Sequence, residues 1–212
     1  MKRVSTWDPS ILLAFLDRMS IDSLKNLTLK LVALFMLLSS SRAHCVHKFS
    51  MEPGFMDMRE DRVTFYPTKL LKHSRPRFRG TPITYRKYTP HENLCVVSTA
   101  KLYLSRTVDL RHTTDFFVTH RRPHNPASRD TVARWLREVL CMAGITGFSA
   151  HSYRAASTSM AKTINISIKD IMSQGQWTQE STFTRFYQKE IIFCPKPVGH
   201  SLLDSYLNID TS

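Results

Sequence analysis

The sequence predicts an α+β fold that is mainly helical, with a small basic β-hairpin or sheet at one edge. Apolar residues recur at helical spacing in several stretches, and capping residues precede most of these stretches. Two short segments rich in β-branched and aromatic residues flank a run that contains proline and glycine, which is typical of a hairpin. The 212 residues, 42% of them apolar, suit one domain with a sizeable core or two small domains.

The first two helices are predicted from their caps and apolar stripes. Asp8 caps a helix with Pro9 at its first position. Asp22 caps the next helix, which we expect to run to about Ser40. The run 27–38 contains Lys30 and is too short to span a bilayer, so we expect a buried helix. The residues predicted to face the core from this helix are Leu24, Leu27, Leu31, Leu34, Phe35 and Leu38.

The later elements are predicted in the same way. Strands are expected over 63–66 and 83–88, with a short buried strand over 116–119. Helices are expected over 94–106, 131–143 and 165–173, with a further one beginning near Gln179 and a short one over 202–207. Ser128 or Asp130 caps the helix 131–143, in which Trp135 is predicted to be a core residue.

The charge of the chain favours a polyanionic partner. Thirty Lys and Arg residues against 17 Asp and Glu give a formal charge of +13, and the pI is about 9.9. Nucleic acid is the first candidate, and a basic protein without such a partner is the alternative. The four cysteines include no Cys-x-x-Cys pair, so neither a zinc site nor a disulfide framework is expected. We therefore expect an intracellular protein without a signal peptide, a membrane span or a metal.

The segment 62–91 is strongly basic, since it contains eight Lys and Arg residues and no Asp or Glu. A hairpin formed there would lie along a phosphate backbone, although solubility alone is the simpler reading. A second basic stretch is the proline-containing loop that begins at Arg121. The residues predicted to contact DNA are Lys69, Arg75, Arg77, Arg79, Arg86, Lys87, Arg121 and Arg122.

The segment 148–187 carries the most specific pattern. Ser149 is predicted to cap a helix that begins at Ala150 and places His151 and Arg154 on one face of its first turn. The positive end of a helix, an imidazole and a guanidinium fork would together bind one phosphate-sized anion. Trp177 and Tyr187 follow, and a second helix would bring the tyrosine hydroxyl to that anion. A solvated helix start and two core aromatic residues are the alternative interpretation.

The stretches HSYRAAS and QGQWTQESTFTRFY resemble the tyrosine recombinase (phage integrase) family, and most closely the recombinases of DIRS and Crypton mobile elements. The resemblance covers about residues 10–193 and implies the catalytic-domain fold of that family. Many members have a carboxylate where this chain has Cys45. Lys69 competes with the assigned lysine, and Tyr206 is a distant second candidate for the nucleophile. The catalytic residues implied by the resemblance are Arg42, Lys72, His151, Arg154, Trp177 and Tyr187.

The resemblance also implies a reaction. The protein would cleave and rejoin strands of double-stranded DNA through a 3′-phosphotyrosyl intermediate, without metal, ATP or another cofactor. Four protomers would assemble on DNA, and the expected compartment is the nucleus. The implied organisation is an N-terminal remnant or linker (1–20), the recombinase catalytic domain (21–193), and a C-terminal connector and tail (194–212).

Two other functions stay open at this point. A type IB topoisomerase shares the nucleophile and the basic clamp, and would relax DNA without recombining it. A non-catalytic DNA-binding protein descended from a recombinase is the other alternative. It is favoured by the expectation that the separate DNA-clamping domain of the family is missing from so short an N-terminal segment.

Overall fold

A computed structural model describes residues 5–39, 43–67, 81–175, 177, 180–181, 184 and 189–192, and the structural statements that follow concern these residues. The helices are α1 (Pro9–Arg18), α2 (Leu24–Ser39), α3 (Ala43–Val46), α4 (Val96–Thr107), α5 (Arg129–Met142), α6 (Ser152–Thr163) and α7 (Ile168–Gly175). The strands are β1 (Ser5–Trp7), β2 (Met56–Met58), β3 (Arg62–Phe65), β4 (Ile83–Arg86) and β5 (Glu190–Ile192). The predicted α+β, mainly helical fold is confirmed.

The strands form two small sheets. In the first, β2, β3 and β4 are antiparallel in that order, with Val63 opposite Tyr85 and Thr64 opposite Thr84. This sheet contains the predicted hairpin. In the second sheet, β1 and β5 pair in parallel, with Thr6 opposite Ile191. The second sheet therefore joins two segments that are far apart in the sequence.

Helix α2 lies at the centre of the core. It contacts α4, α5, α6 and β4, and every residue from Leu27 to Leu37 is buried. A helix that is covered on several sides is apolar all round, which confirms the predicted buried helix. One residue of the predicted stripe is wrong, because Leu38 is 42% exposed. Burial on several sides favours residues outside that stripe instead, such as Leu29 and Val32.

Phe35 connects α2 to the sheet through a cluster of aromatic rings. Its ring centroid lies 4.5 Å from that of Tyr85 and 5.5 Å from that of Phe65. The rings of Phe116 and Phe117 complete the cluster, with centroids 5.6 Å and 5.8 Å from that of Phe35. The Tyr85 hydroxyl donates a hydrogen bond to the carbonyl oxygen of Phe35 at 3.0 Å. Ring packing of this kind holds the three-stranded sheet against the helices.

Helix caps account for several boundaries. Asp8 accepts a hydrogen bond from the Ser10 amide and Pro9 is the first helical residue, as predicted. For α2 the predicted cap Asp22 is wrong, because the Ser23 hydroxyl accepts from the Asn26 amide at 3.1 Å. Ser128, one of the two candidates for α5, accepts from the Thr131 amide at 3.1 Å.

Two other predicted elements differ from those observed. Residues 116–118 are buried but do not form a strand, because the chain makes only isolated bridges, Ser50 with Asp115 and Val118 with Pro126. The helix predicted over 165–173 begins at Ile168 instead. Asn165 has a φ of 63°, which a continuous right-handed helix excludes.

Residues on both sides of the predicted boundary at position 20 share one core. Leu12 and Leu16 of α1 are fully buried in the same cluster as α2. The division into 1–20, 21–193 and 194–212 stays a prediction, and the last segment lies outside the described residues. None of the helices in the part of the chain that the structure describes is long and apolar enough to cross a membrane.

Candidate active site

Helix α6 begins two residues later than predicted, which changes the setting of His151. Ser149 does not cap the helix with its side chain. Its carbonyl oxygen accepts from the Ser152 amide at 2.9 Å and from the Ser152 hydroxyl at 2.6 Å, forming a turn before the helix. His151 therefore occupies the N-cap position, makes no capping hydrogen bond with its side chain, and is exposed. The imidazole lies at the positive end of α6, where an anion is favoured.

Arg154 and Trp177 lie in direct contact. The guanidinium carbon of Arg154 is 3.8 Å from the centroid of the Trp177 ring, which is a cation–π arrangement. Arg154 Nη2 also donates a hydrogen bond to the carbonyl oxygen of Gly175. Arg154 is 6% exposed and Trp177 is 8% exposed. The guanidinium is thus oriented by the end of α7 and by the indole that follows it.

Trp177 is held by a small apolar cluster that is separate from the main core. Its amide donates a hydrogen bond to the carbonyl oxygen of Met172 at 3.0 Å. Ile171 is the other buried member of this cluster, and Ile168 packs against it at the edge. Core packing and contact with Arg154 therefore coexist at Trp177, so the two interpretations of this residue are not exclusive.

The end of α2 is hydrogen-bonded to the end of α7, next to the residues that contact Arg154. Gln174 Nε2, one residue before Gly175, donates to the carbonyl oxygen of Leu38 at 2.6 Å. Arg42 follows this end of α2 in the sequence but lies outside the described residues. The hydrogen bond fixes the last turn of α2 beside the segment that holds Arg154.

The chain that follows the predicted nucleophile is attached to α6. The amide of Lys189 donates to Ser159 Oγ at 3.0 Å, and β5 then pairs with β1. Three residues of the segment predicted as a second helix, Glu180, Ser181 and Thr184, are helical. Tyr187, the predicted nucleophile, lies outside the described residues.

The predicted DNA-binding residues are only partly described. Arg86 and Lys87 are exposed at the end of β4, and Arg121 and Arg122 are exposed in the loop before α5. Lys72, its competitor Lys69 and the alternative nucleophile Tyr206 lie outside the described residues, as do Arg75, Arg77 and Arg79. The roles assigned to all these residues stay predictions.

Two residues were missed by the sequence-based assignment. Arg62 of β3 lies directly across from Arg86 of β4, and the carboxylate of Asp61, 3.4 Å from Arg62 Nη1, offsets part of the repulsion between these like charges. The sequence feature that could have identified Arg62 is its position in the basic segment 62–91, which contains no Asp or Glu. Gly175 accepts the hydrogen bond of Arg154, and a glycine two residues before an aromatic residue gives no signal by itself.

Three described tyrosines are poor nucleophiles. The hydroxyl groups of Tyr85 and Tyr153 donate to the carbonyl oxygens of Phe35 and Leu136, each at 3.0 Å. Burial raises the pKa of both well above the usual value of a tyrosine. Burial likewise raises the pKa of Tyr103 to about 12. Since the phenolate is the reactive form, these three side chains are unsuited to attack an external phosphate.

Comparison with known proteins identifies the fold. No family model matches the sequence, and no curated protein matches it. Solved structures do match. The XerH site-specific recombinase bound to palindromic difH substrate gives a TM-score of 0.64 at 11% identity, over 88% of this chain and 50% of that chain. The XerA recombinase gives a TM-score of 0.63 at 14% identity, over 89% of this chain and 61% of that chain.

A lambda integrase tetramer bound to a Holliday junction gives a TM-score of 0.56 at 13% identity, over 93% of this chain and 52% of that chain. This chain therefore spans about half to three fifths of the length of these proteins. The protein has the fold of the tyrosine recombinase catalytic domain.

Proposed function

We propose that this chain is the catalytic domain of a tyrosine-type site-specific recombinase or integrase, which cleaves and rejoins DNA through a 3′-phosphotyrosyl intermediate. The observation that carries the proposal is the Arg154–Trp177 pair, with Gln174 joined to the end of α2 beside it. This pair lies within the fold that recombinases share, and His151 lies one turn before Arg154 at the exposed start of α6.

The proposed reaction needs cations, a nucleophile and a proton donor. Arg154 and Arg42 would bind the nonbridging oxygens of the scissile phosphate, and these charge-assisted bonds would strengthen as negative charge develops. Tyr187 Oη would attack phosphorus, while the bond from phosphorus to the 5′-oxygen breaks. Lys72 would supply the proton that the departing 5′-oxygen takes up. Rejoining reverses these steps, so the bond energy is conserved and no ATP is required.

His151 and Trp177 would assist in different ways. An exposed imidazole at the positive end of α6 would position the phosphate and exchange a proton with the tyrosine. Trp177 would support the guanidinium from one side, and an indole N–H donates but does not carry a proton between groups. Tyr85, Tyr103 and Tyr153 are buried and unsuited to this role, whereas Tyr66 and Tyr88 are exposed, so the choice of Tyr187 rests on its place in the QGQWTQESTFTRFY motif.

The partners are proposed on the same basis. Double-stranded DNA is the proposed substrate, because the chain carries a charge of +13 and exposes Arg86, Lys87, Arg121 and Arg122. Self-association on DNA is proposed because the matched lambda integrase is a tetramer on a Holliday junction. A closer relationship to the DIRS and Crypton recombinases of mobile elements, a nuclear location and the domain limits given above belong to this proposal.

A covalent-capture experiment tests it. The chain is incubated with a pool of end-labelled suicide duplexes that carry randomised sequence around a nick, and the products are separated by denaturing electrophoresis. We expect a labelled protein–DNA adduct that is absent from the Tyr187→Phe variant. An adduct that persists in this variant would exclude Tyr187 as the nucleophile.

The same experiment separates the alternatives. If no adduct forms while a salt-sensitive mobility shift remains, the chain is a non-catalytic DNA-binding protein. If an adduct forms and supercoiled plasmid is relaxed without strand exchange between duplexes, the activity is that of a type IB topoisomerase.

A further inference from the structure

Gly175 is the last residue of α7, and the indole of Trp177 packs against it where a side chain would otherwise be. A Cβ atom built on Gly175 would come closer than 3.0 Å to three carbon atoms of that ring, Cε3, Cζ3 and Cη2. Observed Cβ atoms essentially never pack so closely. The position of the indole therefore requires glycine at residue 175.

The requirement concerns space and not backbone conformation. Gly175 lies in a right-handed helix, whereas Gly144 and Gly54 have φ values of +74° and +86°. A glycine within a helix normally lowers the stability of the helix relative to alanine, because glycine loses more backbone entropy on folding. Glycine at this position is explained by the ring that contacts it.

The backbone of Trp177 is not free to shift and relieve such a clash. The Trp177 amide is hydrogen-bonded to Met172, which fixes the backbone at the end of α7. A side chain on Gly175 would therefore turn the indole about its own χ angles, away from its place under Arg154. The Gly175 carbonyl oxygen accepts a hydrogen bond from Arg154 Nη2. Gly175 therefore affects two contacts of this guanidinium, directly through its own carbonyl oxygen and indirectly through the position of the Trp177 ring.

We propose that Gly175 is a positioning residue for Arg154: its missing side chain admits the Trp177 ring, and its carbonyl oxygen orients the guanidinium fork toward the scissile phosphate. This inference rests on the proposed function for the role of Arg154, but the placement of the ring does not depend on that function. Any residue other than glycine at this position displaces the stacked pair.

The test is a double-mutant cycle with Gly175→Ala, Trp177→Ala and the double variant. In the wild-type background, Gly175→Ala lowers the rate of covalent adduct formation at saturating DNA at least tenfold. In the Trp177→Ala background the same change alters that rate less than twofold, because the clash is gone. Ser173→Ala, at an exposed position of the same helix, is the matched control and leaves the rate unchanged.

A readout that needs no activity accompanies the cycle. A guanidinium stacked on an indole has its side-chain proton resonances shifted upfield by the ring current. We expect this shift for the Arg154 Hδ protons in the wild type and in Ser173→Ala, and its loss in Gly175→Ala and in Trp177→Ala. Circular dichroism establishes that each variant is folded.

The two proposals fail in different ways. An upfield shift that survives in Gly175→Ala, or an equal rate loss in both backgrounds, overturns the positioning role of Gly175. Absence of any adduct from the wild type, with the ring-current shift lost in Gly175→Ala, overturns the recombinase function and leaves the steric role of Gly175 intact. A normal rate in Gly175→Ala overturns the inference while the recombinase function stands.

Discussion

Trp7 Nε1 donates a hydrogen bond to Ser152 Oγ at 2.7 Å, so a residue of the first strand is joined to the first residue of α6. The Trp7 ring also meets the Tyr153 ring edge-on, with centroids 5.3 Å apart. The same strand pairs with β5, which follows the predicted nucleophile in the sequence. Strand β1 thereby connects the helix that carries Arg154 to the chain beyond Tyr187.

The first prediction concerns this connection. Trp7→Phe retains an aromatic ring but removes the indole donor, so we expect the free energy of unfolding to fall by about 1 kcal/mol. Ser152→Ala removes the acceptor of the same bond and also the bond from its hydroxyl to the Ser149 carbonyl oxygen, so the double variant should lose less than the sum of the two single losses. Urea denaturation measures all three. Fully additive losses would mean that the bond does not stabilise the fold.

The second prediction concerns Arg154. Lysine in its place keeps a positive charge but lacks the planar fork that contacts both Gly175 and Trp177. We expect Arg154→Lys to lower the rate of adduct formation by about 100- to 1000-fold, as loss of an oxyanion donor does in other enzymes. Single-turnover kinetics at saturating DNA measure this rate.

Arg122→Ala is the control for Arg154→Lys, because Arg122 is exposed in a loop and is expected to bind only the DNA backbone. Its loss should weaken DNA binding and flatten the salt dependence of the affinity, while the saturated rate stays the same. A near-normal rate in Arg154→Lys would contradict the assigned role of the guanidinium.

The third prediction concerns Lys30, a charged residue in the buried helix α2. It is 2% exposed, and burial lowers the pKa of its ammonium although the charge of Asp17 raises it in part. Because the folded state disfavours the charged form, we expect Lys30→Met to raise the free energy of unfolding at pH 7 by about 1 kcal/mol. Lys25→Met in the same helix is the control, since the Lys25–Glu138 ion pair is partly exposed and contributes little.

The pH dependence of this effect has a definite sign. Between the lowered pKa of Lys30 in the folded state and the usual value of 10.5, the unfolded state binds more protons. The stability of the wild type should therefore rise with pH relative to Lys30→Met, by up to about 1.4 kcal/mol per pH unit. A difference between the two proteins that is constant from pH 7 to 10 would contradict the lowered pKa.

The fourth prediction concerns His120, whose ring lies 5.8 Å from that of Trp135. Burial lowers the pKa of this imidazole, the charges of Lys25, Arg121 and Arg134 lower it further, and that of Glu138 opposes them. A lowered pKa means that stability is lost as the pH falls below about 6.5. We expect His120→Gln to lose less stability than the wild type between pH 7 and 5 in urea denaturation, and equal losses in the two proteins would contradict the lowered pKa.

Local signals predicted much of the fold. The Asp8–Pro9 start of α1, the Ser128 cap of α5 and the burial of α2 and Trp135 follow from capping chemistry and apolar spacing, which act within a few residues. The cap of α2 was assigned one residue early, because Asp22 and Ser23 are both good caps and their sequence does not distinguish them.

Long-range contacts were not predictable in this way. Strands β1 and β5 are three residues each, too short to show alternation, and their pairing spans most of the chain. The His-x-x-Arg pattern identified Arg154, but its contact with Trp177 depends on where α7 ends. No periodic pattern encodes that position, so the role of Gly175 emerged only from the packing around it.

The base of the β3–β4 hairpin has a further consequence for protein engineering. Phe65 and Tyr85 pack against Phe35, and the Thr64 and Thr84 hydroxyls lie 3.0 Å apart across the strands, so both ends of the connection are fixed on the core. Because the entropy cost of a longer loop grows only slowly with its length, residues between the two strands should tolerate replacement or insertion without loss of the fold. Libraries that vary this connection while keeping Lys72, the proposed proton donor, would then change the proposed contacts with the DNA backbone without disturbing the core.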